Sequence, residues 1–150
     1  CYFITLNYKE ALRCLNKIIF QNLLSEVVTI YSARVLSLLT HFELGNHAVL
    51  KSQLKIINEK SKSSKNYLSF VVDFIEKDVK KTFTPNEYKT ALKSVYEETN
   101  GLINSDKEIK KMSVILDVLS WLESKIQKRP MKDIVKERAL KEYGKINLPD

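Results

Sequence analysis

Apolar residues recur at helical spacing along almost the whole chain. Over 8–20, Tyr8, Ala11, Leu12, Leu15, Ile18 and Ile19 fall on one stripe, which predicts an amphipathic helix. From 25 or 26 to 43 the apolar positions (Val27, Val28, Ile30, Tyr31, Val35, Leu38, Leu39, Phe42) spread over more than one face. Such a helix is expected to be packed on two sides. Gly45 stands where a left-handed C-cap belongs. A third helix is predicted over 46–61, carrying Val49, Leu50, Leu54, Ile56 and Ile57, and a fourth over 67–83, with Asn66 as its cap. Thr84-Pro85-Asn86-Glu87 is a capping box with proline at the first helical position, and the helix it opens is expected to end at Asn100-Gly101. Ser105-Asp106-Lys107-Glu108 reads as a second capping box, opening one helix to about 127 with Ile109, Met112, Ile115, Leu116, Leu119, Leu122 and Ile126, and Trp121 on its flank. Pro130 opens the last helix, 130–143, closed by Gly144. Residues 1–5 are too few for a helix alone and read as the tail of one. No segment alternates with period two. The expectation is an all-α chain of seven helices and a stub, with short connections making antiparallel neighbours.

Leu6-Asn7-Tyr8-Lys9-Glu10-Ala11-Leu12 and Gly45-Asn46-His47-Ala48-Val49-Leu50-Lys51 each follow an apolar helix and open a shorter amphipathic one, 39 residues apart. That offset is near the period of helix-pair repeats. The first segment, followed by Leu15 and Ile18, resembles the second helix of a tetratricopeptide (TPR) repeat, with Tyr8 as its aromatic and Ala11 as its small residue. In the second segment His47 replaces the aromatic and Leu50 the alanine. Residues 33–46 and 120–126 are similar to segments at the C-terminal end of long, largely uncharacterised bacterial TPR-like proteins. The resemblance implies antiparallel helix pairs in a right-handed TPR-like solenoid segment, finished by a less regular C-terminal helical cap. It implies a protein-binding scaffold and carries no catalytic residues.

The domain expectation is a single helical unit over 1–150, with TPR-like pairs over 1–62 and C-terminal helices over 66–144. Ser61-Lys62-Ser63-Ser64-Lys65 is the linker-like stretch between them. A chain that starts at Cys1 without an initiator Met is read as part of a longer protein. Its Tyr2, Phe3 and Ile4 are then expected to lose their neighbour, so that this face self-associates or meets a partner.

Composition narrows the chemistry. A net charge of +7 comes from 25 basic residues, only four of them arginine, which fits a solvated lysine surface better than a reader of bases. The excess gathers over 46–83, which holds eight basic and four acidic groups. Lys51, Lys55, Lys62 and Lys65 are therefore the candidate basic patch, and a nucleic-acid-associated helical domain is the alternative function. Tyr67 is the aromatic nearest to it. Cys1 and Cys14 form no metal-spaced pair, and His41 and His47 do not share a helical face. No nucleophile elbow, zinc motif, phosphate loop or dinucleotide turn is present, and the three glycines are all expected at helix ends. The expectation is a non-enzymatic chain with no cofactor, no metal and no membrane span, in a reducing cytoplasmic setting. The candidate peptide groove is Arg34, His41 and Glu43, polar residues on the otherwise apolar second helix. The expected partner is a protein or peptide.

Overall fold

The structure, a computed structural model, describes residues 2–21, 27–60, 67–81, 83–113 and 117–143. Eight helices run along them: α1 (Tyr8–Gln21), α2 (Val27–Glu43), α3 (His47–Lys60), α4 (Ser69–Lys80), α5 (Pro85–Ser105), α6 (Lys107–Ser113), α7 (Val118–Gln127) and α8 (Met131–Tyr143). No strand occurs among the described residues. From α1 to α6 and again from α7 to α8, helices adjacent in sequence pack together in an antiparallel-like order, and α5 packs against both α6 and α7.

Local chemistry sets most of the boundaries. Thr84 accepts from the Glu87 N–H at 3.3 Å while its own N–H donates to Glu87 Oε2 at 2.8 Å, with Pro85 at the first helical position. This is the capping box read from the sequence. Gly45 takes φ +67° after α2, its N–H donating to the Phe42 carbonyl and the Asn46 N–H to the His41 carbonyl. That paired bond is the Schellman closure of a helix. The same closure occurs 39 residues earlier: Leu6 has φ +61°, Leu6 N–H donates to Phe3 and Asn7 N–H to Tyr2. The burial pattern recurs with it. Ala11 and Leu15 on α1 are buried, as are Leu50 and Leu54 at the matching places on α3.

Three boundaries differ from expectation. Asn100-Gly101 does not end a helix, because α5 continues to Ser105. Leu102 and the buried Ile103 extend its apolar stripe, and their burial outweighs the roughly 1 kcal/mol that an interior glycine costs. The cap of the next helix is Asp106 rather than Ser105. Its carboxylate accepts from the Glu108 and Ile109 N–H groups, while Ser105 Oγ turns back to the Leu102 carbonyl. The single helix expected to run to 127 is two, α6 and α7. Asp117 leaves helical geometry (ψ 73°) and caps Ser120 through both its backbone N–H and its hydroxyl. A short acidic side chain that bonds the backbone ahead competes with helix continuation. The predicted closing glycine, Gly144, and the predicted cap Asn66 lie outside the described residues.

The core explains the breadth of apolar sequence on α2. Val35, Leu38 and Leu39 are fully buried in the main cluster with Leu50, Ile57, Val71, Ile75 and Leu122. Ala33 faces the other way, onto Leu15 and Ile19 of α1. Helix α2 is thus packed on two sides. Its last turn carries the fold's long-range closure. The Phe42 ring meets Phe74 of α4 at 6.3 Å and Trp121 of α7 at 6.1 Å, both edge-on. Arg138 then pins α8, bonding Glu123 of α7 and the Tyr96 hydroxyl of α5. Phe3, expected to be stripped of neighbours, is 3% exposed and packs on Tyr8, whereas Tyr2 is 47% exposed.

Candidate functional site

The fold-back of α7 and α8 onto the end of α2 leaves a cleft of about 370 Å3. Three separate parts of the chain line it: Phe3, Leu6 and Tyr8 from the 2–6 turn and the start of α1, Glu43 from α2, and Trp121 to Met131 from α7, its turn and α8. Phe3, Trp121 and Met131 are buried and give it an apolar floor. Leu6 stands at its mouth, 60% exposed.

Glu43 is the polar centre of this cleft. Its side chain is 12% exposed, a position that demands partners for both carboxylate oxygens. Trp121 Nε1 donates to Oε1 at 2.7 Å, and Lys125 Nζ donates to Oε2 at 2.6 Å. The Tyr8 phenol lies near this carboxylate; burial first, and the adjacent negative charge of Glu43 second, push it up to about 12. Trp121 and Lys125 are one helical turn apart, so α7 presents both donors on one face.

A turn with left-handed geometry builds the cationic rim. Lys128 ends α7 at φ +54°, and both its N–H and that of Arg129 donate to the Ser124 carbonyl. Pro130 then starts α8 by offering its carbonyl to the Asp133 and Ile134 N–H groups. The Arg129 guanidinium is committed to Glu137, which raises its pKa through that hydrogen bond and charge, and it also reaches Gln127. Lys128 is exposed and makes no ion pair among the described residues.

The candidate groove residues Arg34, His41 and Glu43 are not gathered into one site. Glu43 enters the cleft, while Arg34 and His41 do not line it. Arg34 is half-buried, and its Nε lacks a hydrogen-bond partner among the described residues. The half-buried His41 ring faces Asn46 Nδ2 at 3.2 Å within its own turn, and burial lowers its pKa. Helix geometry accounts for the separation. Nine residues from Arg34 to Glu43 are about half a turn out of phase, whereas the seven from Arg34 to His41 bring those two to nearly the same face.

Two members of the basic patch do come together. Lys51 and Lys55 of α3 line a second recess of about 390 Å3 with Leu54, Asn58, and Glu76, Val79 and Lys80 of α4. Here Glu76 accepts from Lys80 at 2.6 Å and from Asn58 at 3.1 Å, and these bonds, Lys80 first, hold its carboxyl below the usual range. Lys62 and Lys65 lie outside the described residues. Tyr67, the aromatic named beside the patch, is 2% exposed and belongs to the core.

Sequence reasoning named Phe3 only as part of an N-terminal contact face, and missed Leu6, Lys125, Lys128, Arg129 and Met131. The Trp121–Lys125 spacing and the Pro130 break were visible signals for a functional α7 end, and Glu43 stood out as a polar residue on apolar α2, but nothing local joined the two. Among the described residues no helix is long and apolar enough to cross a membrane. No family model matches this chain, and neither does any curated protein or solved structure.

Proposed function

We propose that this chain is a non-catalytic protein-interaction module, a scaffold or adaptor of the TPR-like helical-repeat kind. In this reading the 2–6 turn with α1, and α2 with α3, are successive repeat-like units, and the helices from α4 onward form the cap. The recurrence of one left-handed closure after 39 residues supports the repeat-like reading. The fold-back of α7 onto α2 suits a terminal cap, because units inside a stack touch only their immediate neighbours.

The observation that carries the function is the cleft: an apolar floor of Phe3, Trp121 and Met131 beneath a rim bearing Lys128, which pairs with no acid among the described residues, with its carboxylate already satisfied. A recess of this size receives one large apolar side chain, and few polar groups are needed to orient it. The occupant is a partner peptide that anchors a leucine or aromatic residue there. Selection of a displayed peptide library against the chain, followed by titration of the selected peptides, tests this. Leu6→Asp and Lys128→Glu should weaken binding at least tenfold while the helical content is retained. Unchanged affinity in both variants refutes the cleft as the docking site.

A further inference from the structure

We infer that the recess between α3 and α4 is a second docking surface, independent of the cleft, and that its partner is an acidic peptide segment carrying an apolar residue. Three lysines line it, Lys51, Lys55 and Lys80, against the single acid Glu76. Lys80 and Asn58 are spent on that acid. Lys51 and Lys55 are exposed, make no ion pair among the described residues, and sit one turn apart along α3, about 6 Å. Between the two helices lie the apolar side chains of Leu54 and Val79. The surface therefore offers two cations at a fixed separation beside an apolar trough, neither paired among the described residues. Two carboxylates about 6 Å apart flanking a leucine match it, a spacing met by acids four residues apart on a helix.

The same features disfavour other polyanions. The recess has no arginine, the residue suited to bidentate phosphate contacts. The residues lining it include no aromatic on which a base could stack. Glu76 stays ionised beside the lysines and would face each phosphate. The lysines border a concavity rather than a protruding apolar ridge of the sort that enters a lipid interface.

Fluorescence anisotropy of the full 150-residue chain at low salt decides among these partners. The probes are a labelled peptide with Glu-x-x-x-Glu around a leucine, its leucine-to-serine analogue, a single-stranded oligonucleotide of matched charge, and phosphatidylserine vesicles. The peptide should bind, weaken as salt rises, lose at least tenfold in Lys51→Glu/Lys55→Glu, and lose several-fold in the serine analogue. Leu6→Asp should leave it unchanged, which separates this surface from the cleft whichever way the cleft test falls. Lys80 is left in place because removing it would free Glu76. Retained affinity in the charge-reversed double variant overturns the inference, given an unaltered circular dichroism spectrum. So does equal binding of the serine analogue, or tighter lysine-dependent binding of the oligonucleotide or the vesicles.

Discussion

The indole N–H of Trp121 donates to Glu43 Oε1 at 2.7 Å across 78 residues of chain. With Lys125 on the other oxygen, this contact ties the first helices to the last. Removing the carboxylate leaves a buried indole N–H and a half-buried ammonium unpaired. Leaving such groups unsatisfied costs more than the bond itself contributes. Glu43→Ala is expected to lose about 2–3 kcal/mol and Trp121→Phe about 1–2 kcal/mol in urea unfolding, both discounted for the partial exposure of Lys125. Losses adding without coupling in the double variant would show that the two residues do not act together.

Leu6 and Gly45 hold the same left-handed turn, one with a side chain and one without. A Cβ in that region costs about 1–2 kcal/mol. Leu6→Gly should therefore raise stability by up to about 1 kcal/mol, since its side chain is mostly exposed and little burial is lost. Gly45→Ala should lower it by about 1 kcal/mol through backbone strain alone, because nothing lies within 4 Å of an added Cβ. Thermal midpoints moving in the same direction would contradict the assignment of both turns.

Ser37 and Thr99 are fully buried, and their hydroxyl oxygens have no partner among the described residues. A buried hydroxyl without a hydrogen bond carries a desolvation cost, so Ser37→Ala and Thr99→Val are each expected to be neutral or stabilising by about 1 kcal/mol. A loss above 1 kcal/mol in denaturant titration would reveal a bond that the geometry does not show.

The pH response has two limbs of known sign. Hydrogen bonds and charge lower the carboxyl pKa of Glu76, Glu87 and Glu137. A lowered folded value contributes stability above the unfolded carboxyl pKa of about 4.3, lost as pH falls through the folded value. Burial raises Asp78, which acts in the opposite direction on that limb. On the alkaline side, burial first and nearby acids second push Tyr8, Tyr67 and Tyr88 up to about 12. The folded state then holds phenolic protons that the unfolded chain releases near pH 10, so stability falls from about pH 10 to about 12. Tyr88→Phe should make that alkaline decline shallower, read by denaturant midpoints alongside tyrosinate absorbance. An unchanged slope would remove Tyr88 from the account.

The helices were legible because their determinants are local. Thr84 and Glu87 close a box within four residues, and Gly45 needs only its own missing Cβ. Where two local rules compete, the sequence misleads. Gly101 looks like a terminus until Ile103 is known to be buried, and Asp117 looks like one residue of a long stripe until its carboxylate caps Ser120. The cleft was least legible. Its walls come from the first, middle and last parts of the chain, and long-range contacts, Phe42 on Trp121 and Glu43 to Trp121 and Lys125, bring them together. Grouping Glu43 with Arg34 and His41 by polarity ignored helical phase, which puts it on the opposite side.

Trp121 is the sole tryptophan in the chain, and it forms the wall where the two ends meet. The molecule thus carries its own label. Intrinsic emission, quenched or shifted when the indole loses its carboxylate partner and meets water, would track parting of the two ends or arrival of a guest without any dye.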